Sequence, residues 1–574
     1  SPWQDSGKTK NYWKQSIDFE LDEDTKKLIR ESKEQDFSLH ATLTFFQNYS
    51  RTKEDGTSES WADTVIRVTE GTMYLRKHQM YHAGRKWVEE TEQKFARLFA
   101  THMFDRSFLP AGRGLWAMDK KMVKDFPIAL YNCSFASPAP DSTTVGDKNL
   151  SFAYAAQWMM MVLMLGAGIA YDCEWHGSVY LPSTKEKDAQ FYKIDDSREG
   201  WAFSLYLLME SYLLPDKGVI TFDCSGIRKR GEPIKRFGGT AGGPESLILM
   251  HKSIRSYFEC FYRVHTENIP AKDSIRKMMF EMREYDPQFS SKFDEILAKF
   301  EAVDANLKTY NHTRLIVDLY NTIPRCVMDG GTGRSSALVF SGVDDEEFRL
   351  LKNDDTNPER RFVRNMSNNS ICADTPEDYA KIAKILPPLI KEAGEPGVFN
   401  RFLARCGMSR HADPRLKRVR GTNACSEVLL EGWEFCNLAS AILQRCMNPD
   451  GTIDYNKLRN ACMLAAFYTA IVACNPLNEA RAEAVRAENL RVAVSLDASF
   501  VGYETLSNQE FGTLLKSCKE LIITYVDAYT MAIAGKKSVT HTCFKPGGKI
   551  PPLADSLSSI NGPICSQYVE LRRI

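Results

Sequence analysis

Short apolar runs of strand length alternate along this chain with longer stretches whose apolar residues recur at helical spacing, and few architectures accommodate that order. Ala337-Leu-Val-Phe340, Val398-Phe399 and Leu490-Arg-Val-Ala-Val-Ser-Leu496 are strand-like. Ser60 to Met103, Tyr455 to Val472 and Leu477 to Arg486 are helix-like. Trp158 to Ile169 is an apolar helix pattern, and Gly166-Ala-Gly-Ile-Ala-Tyr171 ends that helix and opens a strand. Glu395-Pro-Gly397 makes a similar helix exit ahead of Val398. Helices alternating with buried strands predict an α/β fold. The chain, 574 residues long, exceeds one small domain, although a large α/β barrel with insertions absorbs most of it.

Composition removes several function classes. With 43% apolar residues, 26% charged residues and a formal net charge of zero, the chain has no electrostatic case for nucleic acid or an anionic membrane. Its 15 cysteines follow neither paired CxxC spacing nor a zinc pattern, so they read as reduced thiols. That places the chain in a reducing intracellular compartment, cytoplasmic by default. No signal peptide stands out, and Trp158 to Ile169 is too short to span a bilayer. The chain opens at Ser1 rather than Met, as a processed or partial chain would. Residues 1 to about 105 read as a charged helical region without a glycine-rich nucleotide loop. The remainder, 106–574, reads as the main α/β body, with a charged helical insertion at about 258–310 that is expected to be solvated.

One stretch carries candidate chemistry. In Gly421-Thr-Asn-Ala-Cys-Ser-Glu-Val-Leu-Leu430, Asn423, Cys425 and Glu427 sit at i, i+2 and i+4. An extended backbone would project all three from one side, whereas a helix would turn Cys425 away. A thiol flanked by a carboxamide and a carboxylate suits chemistry at a polar substrate: a reacting sulfur, an acid/base and an orienting amide. A second thiol, Cys436, follows a Gly432-Trp433 break. Against this stands the fact that a free cysteine usually just packs in a core.

Asn-x-Cys-x-Glu followed by Cys436-Asn-Leu438 resembles the finger-loop signature of ribonucleotide reductases. Six further segments match that family in the same order. They are Leu109-Pro-Ala-Gly-Arg-Gly-Leu-Trp116, Tyr131-Asn-Cys-Ser134, Arg198-Glu-Gly-Trp201, Phe237-Gly-Gly-Thr-Ala-Gly-Gly-Pro244, Met366-Ser-Asn-Asn-Ser370 and Gly394-Glu-Pro-Gly-Val-Phe-Asn400. The set is most similar to the monomeric, adenosylcobalamin-dependent (class II) reductases. The resemblance implies a ten-stranded α/β barrel, built from two parallel five-stranded halves, with the finger loop threading its centre.

The resemblance also implies roles. Cys425 would carry the thiyl radical, Glu427 would act as base on the 3′-hydroxyl, and Asn423 would orient the sugar. Cys133 and Cys436 would be the redox pair, oxidised to a disulfide in each turnover; nothing in their spacing joins them. Substrate contacts would come from Ser134, Arg334, Asn368, Gly547, Gly548 and Lys549. Adenosylcobalamin is the implied cofactor. The implied partners are a ribonucleoside di- or triphosphate, a deoxynucleotide effector and a thioredoxin-like reductant.

Four departures from the family pattern stand out. The chain is short and polar between Tyr180 and Arg198, where an effector-site insertion is expected to be longer. Thr221 to Arg228 and Phe237 to Pro244 then read as loops at barrel-strand ends. Asp497-Ala-Ser-Phe500 and His541 to Lys549 stand in place of the family's phosphate loops; glycine amides and a lysine still suit phosphate there. The sequence given stops at Tyr568 to Ile574, before the family's cysteine-bearing tail, a segment a second chain would then supply. Two other readings therefore stay open: a reductase drawing its radical from a partner metal subunit, and a degenerate scaffold subunit of a larger assembly.

Overall fold

In a computed structural model, the structure describes residues 11–32, 37–142, 144, 146–233, 240–329, 336–406, 413–545 and 548–556. They divide into two units. One is built from Cys133–Ala424 with Leu429–Glu434; the other takes the chain up to Asn132, Cys425–Val428, and the chain from Phe435 onward.

The first unit carries a parallel sheet of five strands in chain order: Cys133–Ala136, Gly168–Asp172, Ala337–Gly342, Asn368–Ala373 and Gly397–Asn400. Cys133 pairs with Gly168, Ile169 with Ala337, Leu338 with Asn368, and Ser370 with Gly397, so the strands start nearly level. Strand alternation puts Cys133, Phe135, Gly168, Ala170, Asp172, Phe340 and Asn368 on one face. Ser134 therefore points to the other face. Its Oγ accepts from Trp158 Nε1 at 3.1 Å, and Trp158 lies on the buried helix Ser151–Met164. Asn368 and Asn369 begin the fourth of these strands. Thr221 differs from expectation: Ile220–Asp223 pairs with Gln190–Lys193 in a separate two-stranded parallel sheet, not at a barrel-strand end.

The helical insertion is packed rather than solvated. The helices Glu245–His265, Ala271–Tyr285 and Phe293–Ala302 bury Ile254, Phe258, Met278, Met279, Phe293 and Phe300. Mixed charge in the sequence conceals this apolar stripe, which is what stabilises the helices.

The second unit begins with helices. Trp61–His82 is fixed at its start by a capping box, Ser60 with Asp63, and Gly84 turns left-handed (φ 64°) after its end. The helix-like stretch from Ser60 to Met103 is therefore two helices, the second being Glu89–Phe104. A four-stranded sheet follows in the order Phe108–Pro110, Leu438–Ile442, Ala493–Asp497, Thr542–Cys543. Its first strand is antiparallel to its neighbour and the rest are parallel. The strand expected from Leu490 begins at Ala493, because Leu490 is the left-handed cap (φ 46°) of the helix Ala480–Asn489. Among the described residues, no helix is long and apolar enough to cross a membrane.

Candidate active site: a finger hairpin and its surroundings

The stretch that contains Asn423, Cys425 and Glu427 is a hairpin. Gly421–Thr422 pairs antiparallel with Leu429–Leu430, and Arg420 N extends the ladder to Leu430 O at 2.9 Å. Three contacts within the first unit fix how its outgoing leg runs. Arg420 Nε donates to Asp172 Oδ2 at 2.7 Å, at the end of the strand Gly168–Asp172. Gly421 passes so close to two rings that a Cβ there would lie 2.4 Å from Phe135 Cε2 and 2.8 Å from Phe340 Cε2. A Cβ on Gly168 would lie 3.1 Å from Cys133 Sγ and 3.3 Å from Ala424 Cβ. Arg420 to Ala424 thus runs opposite to Gly168–Asp172, each leg about 13 Å at strand rise. The residue just before Cys425 sits beside Cys133. The return leg is fastened too: Glu434 O accepts from Phe135 N at 3.1 Å and Ser134 Oγ at 2.8 Å.

The tip is not extended. Thr422 opposite Leu429 leaves only residues 423–428 to reverse the chain, and Ser426 does so with a left-handed backbone (φ 70°). The alternation expected for Asn423, Cys425 and Glu427 is therefore lost. Asn423 is buried, Cys425 is exposed, and Glu427 is half-buried.

Within the second unit, Glu427 belongs to an acidic neighbourhood. Burial pushes the Cys543 thiol well above its ordinary pKa, and the charges of Glu427 and Asp497 push it further. Cys543 pairs in register with Ser495, whose Oγ donates to Asp497 Oδ1 at 2.6 Å and accepts from Lys545 N at 3.1 Å. Cys436 is fully buried, and its carbonyl accepts from Asn132 N at 3.1 Å. Lys549 is exposed and its Nζ donates to Asn48 Oδ1.

Comparison with known proteins agrees along the chain. The ribonucleotide reductase alpha domain matches residues 21–120, the insertion domain of B12-dependent ribonucleotide reductase matches 171–257, and the ribonucleotide reductase barrel domain matches 343–493. Together they cover more than half of the sequence. The chain belongs to the ribonucleotide reductase family. An adenosylcobalamin-dependent ribonucleoside-triphosphate reductase of Euglena gracilis is 29% identical over 545 residues, 93% of this chain and 65% of its own length. A probable enzyme of the same name from Dictyostelium discoideum is 28% identical over 561 residues, 94% of this chain and 65% of its own. The chain thus spans 65% of the length of these curated relatives. A crystal structure of a B12-dependent (class II) ribonucleotide reductase superposes with a TM-score of 0.74 at 19% identity, covering 94% of this chain and 77% of that one. The α/β barrel fold and helical N-terminal region are those of this family.

The segment between Tyr180 and Arg198, short against the insertion expected there, lies inside the matched insertion domain. Its strands Gln190–Lys193 and Ile220–Asp223 are too short and half-exposed to stand out in the sequence. Of the expected substrate contacts, Asn368 shares the face and the strand-start edge of Cys133. Ser134 lies on the opposite face with its hydroxyl bonded to Glu434 O. Arg334 and Gly547 lie outside the described residues, and Gly548 has a left-handed φ of 63°. Sequence reasoning missed Cys543, Ser495 and Asp497 as one polar group, and it missed Arg420. Only the register of the sheet reveals the first set; Arg420, directly ahead of Gly421, was the one within reach.

Proposed function

We propose that this chain carries the catalytic machinery for reducing ribonucleoside triphosphates to 2′-deoxyribonucleotides, with adenosylcobalamin as cofactor and Cys425 as the radical-bearing thiol. The observation behind this reading is the course of the finger, which presents an exposed thiol one residue beyond the point where the chain passes Cys133 Sγ. The thiols fit such a cofactor. Cys425 is exposed, whereas Cys133 and Cys436 are buried, so a bulky group meets only the first. Cys425 and Ser426, both exposed at the tip, are the residues that would meet it. When bound, adenosylcobalamin supplies the hydrogen-abstracting radical, and the protein supplies placement.

The residues then divide the work. The Cys425 sulfur takes the hydrogen from C3′. Glu427 accepts the 3′-hydroxyl proton, and the Asn423 carboxamide hydrogen-bonds the sugar. Hydroxide leaves C2′ as water, with a proton from one of the two thiols Cys133 and Cys436. Cys133 and Cys436 deliver the two reducing electrons and the hydrogen that replaces the hydroxyl, and they become a disulfide. Cys425 returns hydrogen to C3′. An external dithiol restores the pair by exchange. Asn368 flanks the substrate, and the Gly547 and Gly548 amides, Lys549 and Arg334 hold its phosphates, Lys549 exchanging Asn48 for phosphate. Ser134 supports from behind by holding Glu434. A deoxynucleotide effector belongs to the insertion domain, and a reducing intracellular compartment suits the thiols.

A second reading, a scaffold subunit without turnover, is favoured by one observation: Asp497 puts a fully buried carboxyl side chain where a phosphate turn was expected. One experiment separates the two. The protein is incubated anaerobically with the four ribonucleoside triphosphates, adenosylcobalamin and dithiothreitol, beside Cys425→Ala, and deoxynucleotide is assayed. Product that disappears in the variant supports the reductase. No product and no cobalamin difference spectrum would rule out the cobalamin mechanism. Product restored only by a radical-generating metal subunit would reassign the radical source.

A further inference from the structure

We infer that Arg420 is the positioning residue of the finger, setting the register in which Cys425 is presented; this rests on the proposed reductase reading. Arg420 is the last residue before the hairpin stem, and its guanidinium reaches two carboxylates at the end of one strand. Nε donates to Asp172 Oδ2 at 2.7 Å and Nη2 to Glu174 Oε2 at 2.5 Å. Asp172 is only 1% exposed, and its other oxygen accepts from Ser137 Oγ at 3.0 Å and Glu174 N at 3.2 Å. The anchor is therefore itself fixed.

A second arginine locks the same point from beyond the ends of the strands Asn368–Ala373 and Gly397–Asn400. Arg401 grips Asp374 with Nε and Nη2, both at 2.6 Å, and its Nη1 donates to Glu174 Oε1 and to the Arg420 carbonyl, each at 3.1 Å. Arg405 Nε adds a bond to Val419 O at 2.8 Å. The backbone on entering the finger is thus held at Val419 and Arg420, and the side chain of Arg420 at two carboxylates. Paired, charge-assisted bonds of this kind fix direction as well as distance.

The consequence for Cys425 follows from the strand-like leg. A slip of one residue between the finger and Gly168–Asp172 would shift the leg by about 3.3 Å and turn its side chains to the opposite face. It would also drive a side chain other than hydrogen between Phe135 and Phe340, where Gly421 now passes. The glycine excludes wrong registers, and Arg420 holds the right one. Arg420 touches neither substrate nor cofactor in this scheme and acts only through the position of the tip.

The test compares the full chain with Arg420→Gln, Arg420→Lys and Asp172→Asn. Amide exchange of residues 419–431 and the alkylation rate of Cys425, referenced to Cys224, are read alongside kcat and KM. Arg420→Gln and Asp172→Asn should both speed exchange across the hairpin and change Cys425 alkylation. They should lower kcat by about 10²-fold with KM unchanged, the signature of misplacement rather than lost binding. Arg420→Lys should recover part of kcat, since one ammonium cannot span both carboxylates. Unchanged exchange and alkylation in both Arg420→Gln and Asp172→Asn would overturn the inference, as would an unchanged kcat where the wild type is active. Should the wild type show no reductase activity, exchange and alkylation still decide the role of Arg420, and only the functional reading fails.

Discussion

Two of the ionic networks in the first unit are built for different ends. In one, Lys308, Arg314, Asp318, Glu359 and Arg360 have side chains at most 2% exposed. Lys308 Nζ donates to both Glu359 oxygens at 2.9 and 3.0 Å, Arg314 Nη2 to Glu359 Oε1 at 2.6 Å, and Arg360 Nε to Asp318 Oδ1 at 2.6 Å. In the other, at the finger root, Asp172 is buried but the Glu174 and Asp374 side chains are 45% and 36% exposed. A dry network cannot lose a member without leaving a charge stranded in low dielectric, so it acts on whether the unit folds. A root within reach of water loses little stability when a pair breaks, so it acts on where the finger points.

The largest break of that contrast should come from Glu359→Ala. It would leave Lys308 and Arg314 facing each other without their shared carboxylate, and a cost of about 3–5 kcal/mol is expected. The midpoint of denaturant unfolding measures it; a variant as stable as the wild type would mean the network is hydrated after all. A smaller effect concerns pH. Burial pushes the Lys308 ammonium down to about 8, against the pull of Glu359. The unfolded lysine titrates near 10.4, so between about pH 8 and 10 the unfolded state binds more protons and stability rises with pH. The increment is at most about 1.4 kcal/mol per pH unit, and it should be absent from Lys308→Met, so that subtracting the two stability–pH curves isolates it.

How much of this was legible in the sequence depends on the range of the interaction that fixes each part. Helix and strand patterns are local, and Ala337 to Phe340, Gly168 to Tyr171 and Tyr455 to Val472 all lie on elements of the expected kind. The finger motif located Cys425, but its conformation depended on a pairing, Thr422 with Leu429, that forces the turn at Ser426. Serine carries no signal for a left-handed backbone as glycine does. The packed helices between Glu245 and Ala302 were obscured because their charge outweighed an apolar stripe visible only at helical spacing. The finger root was the hardest: Arg420 and Asp172 are 248 residues apart, and no local pattern links them.

The smallest expected effect sharpens the contrast most cleanly, because it needs no substitution in the dry network. Raising salt from about 0.1 to about 1 M shortens the screening length from about 10 Å to about 3 Å. Charges reached by solvent should weaken, and those sealed from it should not. Amide exchange in residues 419–431 should therefore quicken with salt, while exchange in the helix His312–Val327, which carries Arg314 and Asp318, should stay constant. Glu174→Gln should reproduce the salt effect at low ionic strength and cost no more than about 1 kcal/mol in global stability. Equal salt responses in the two segments would mean that the root is as dry as the buried network, and that the finger is held rigidly rather than adjustably. A response confined to 419–431 would leave the finger as the part of the unit whose placement the ionic environment controls.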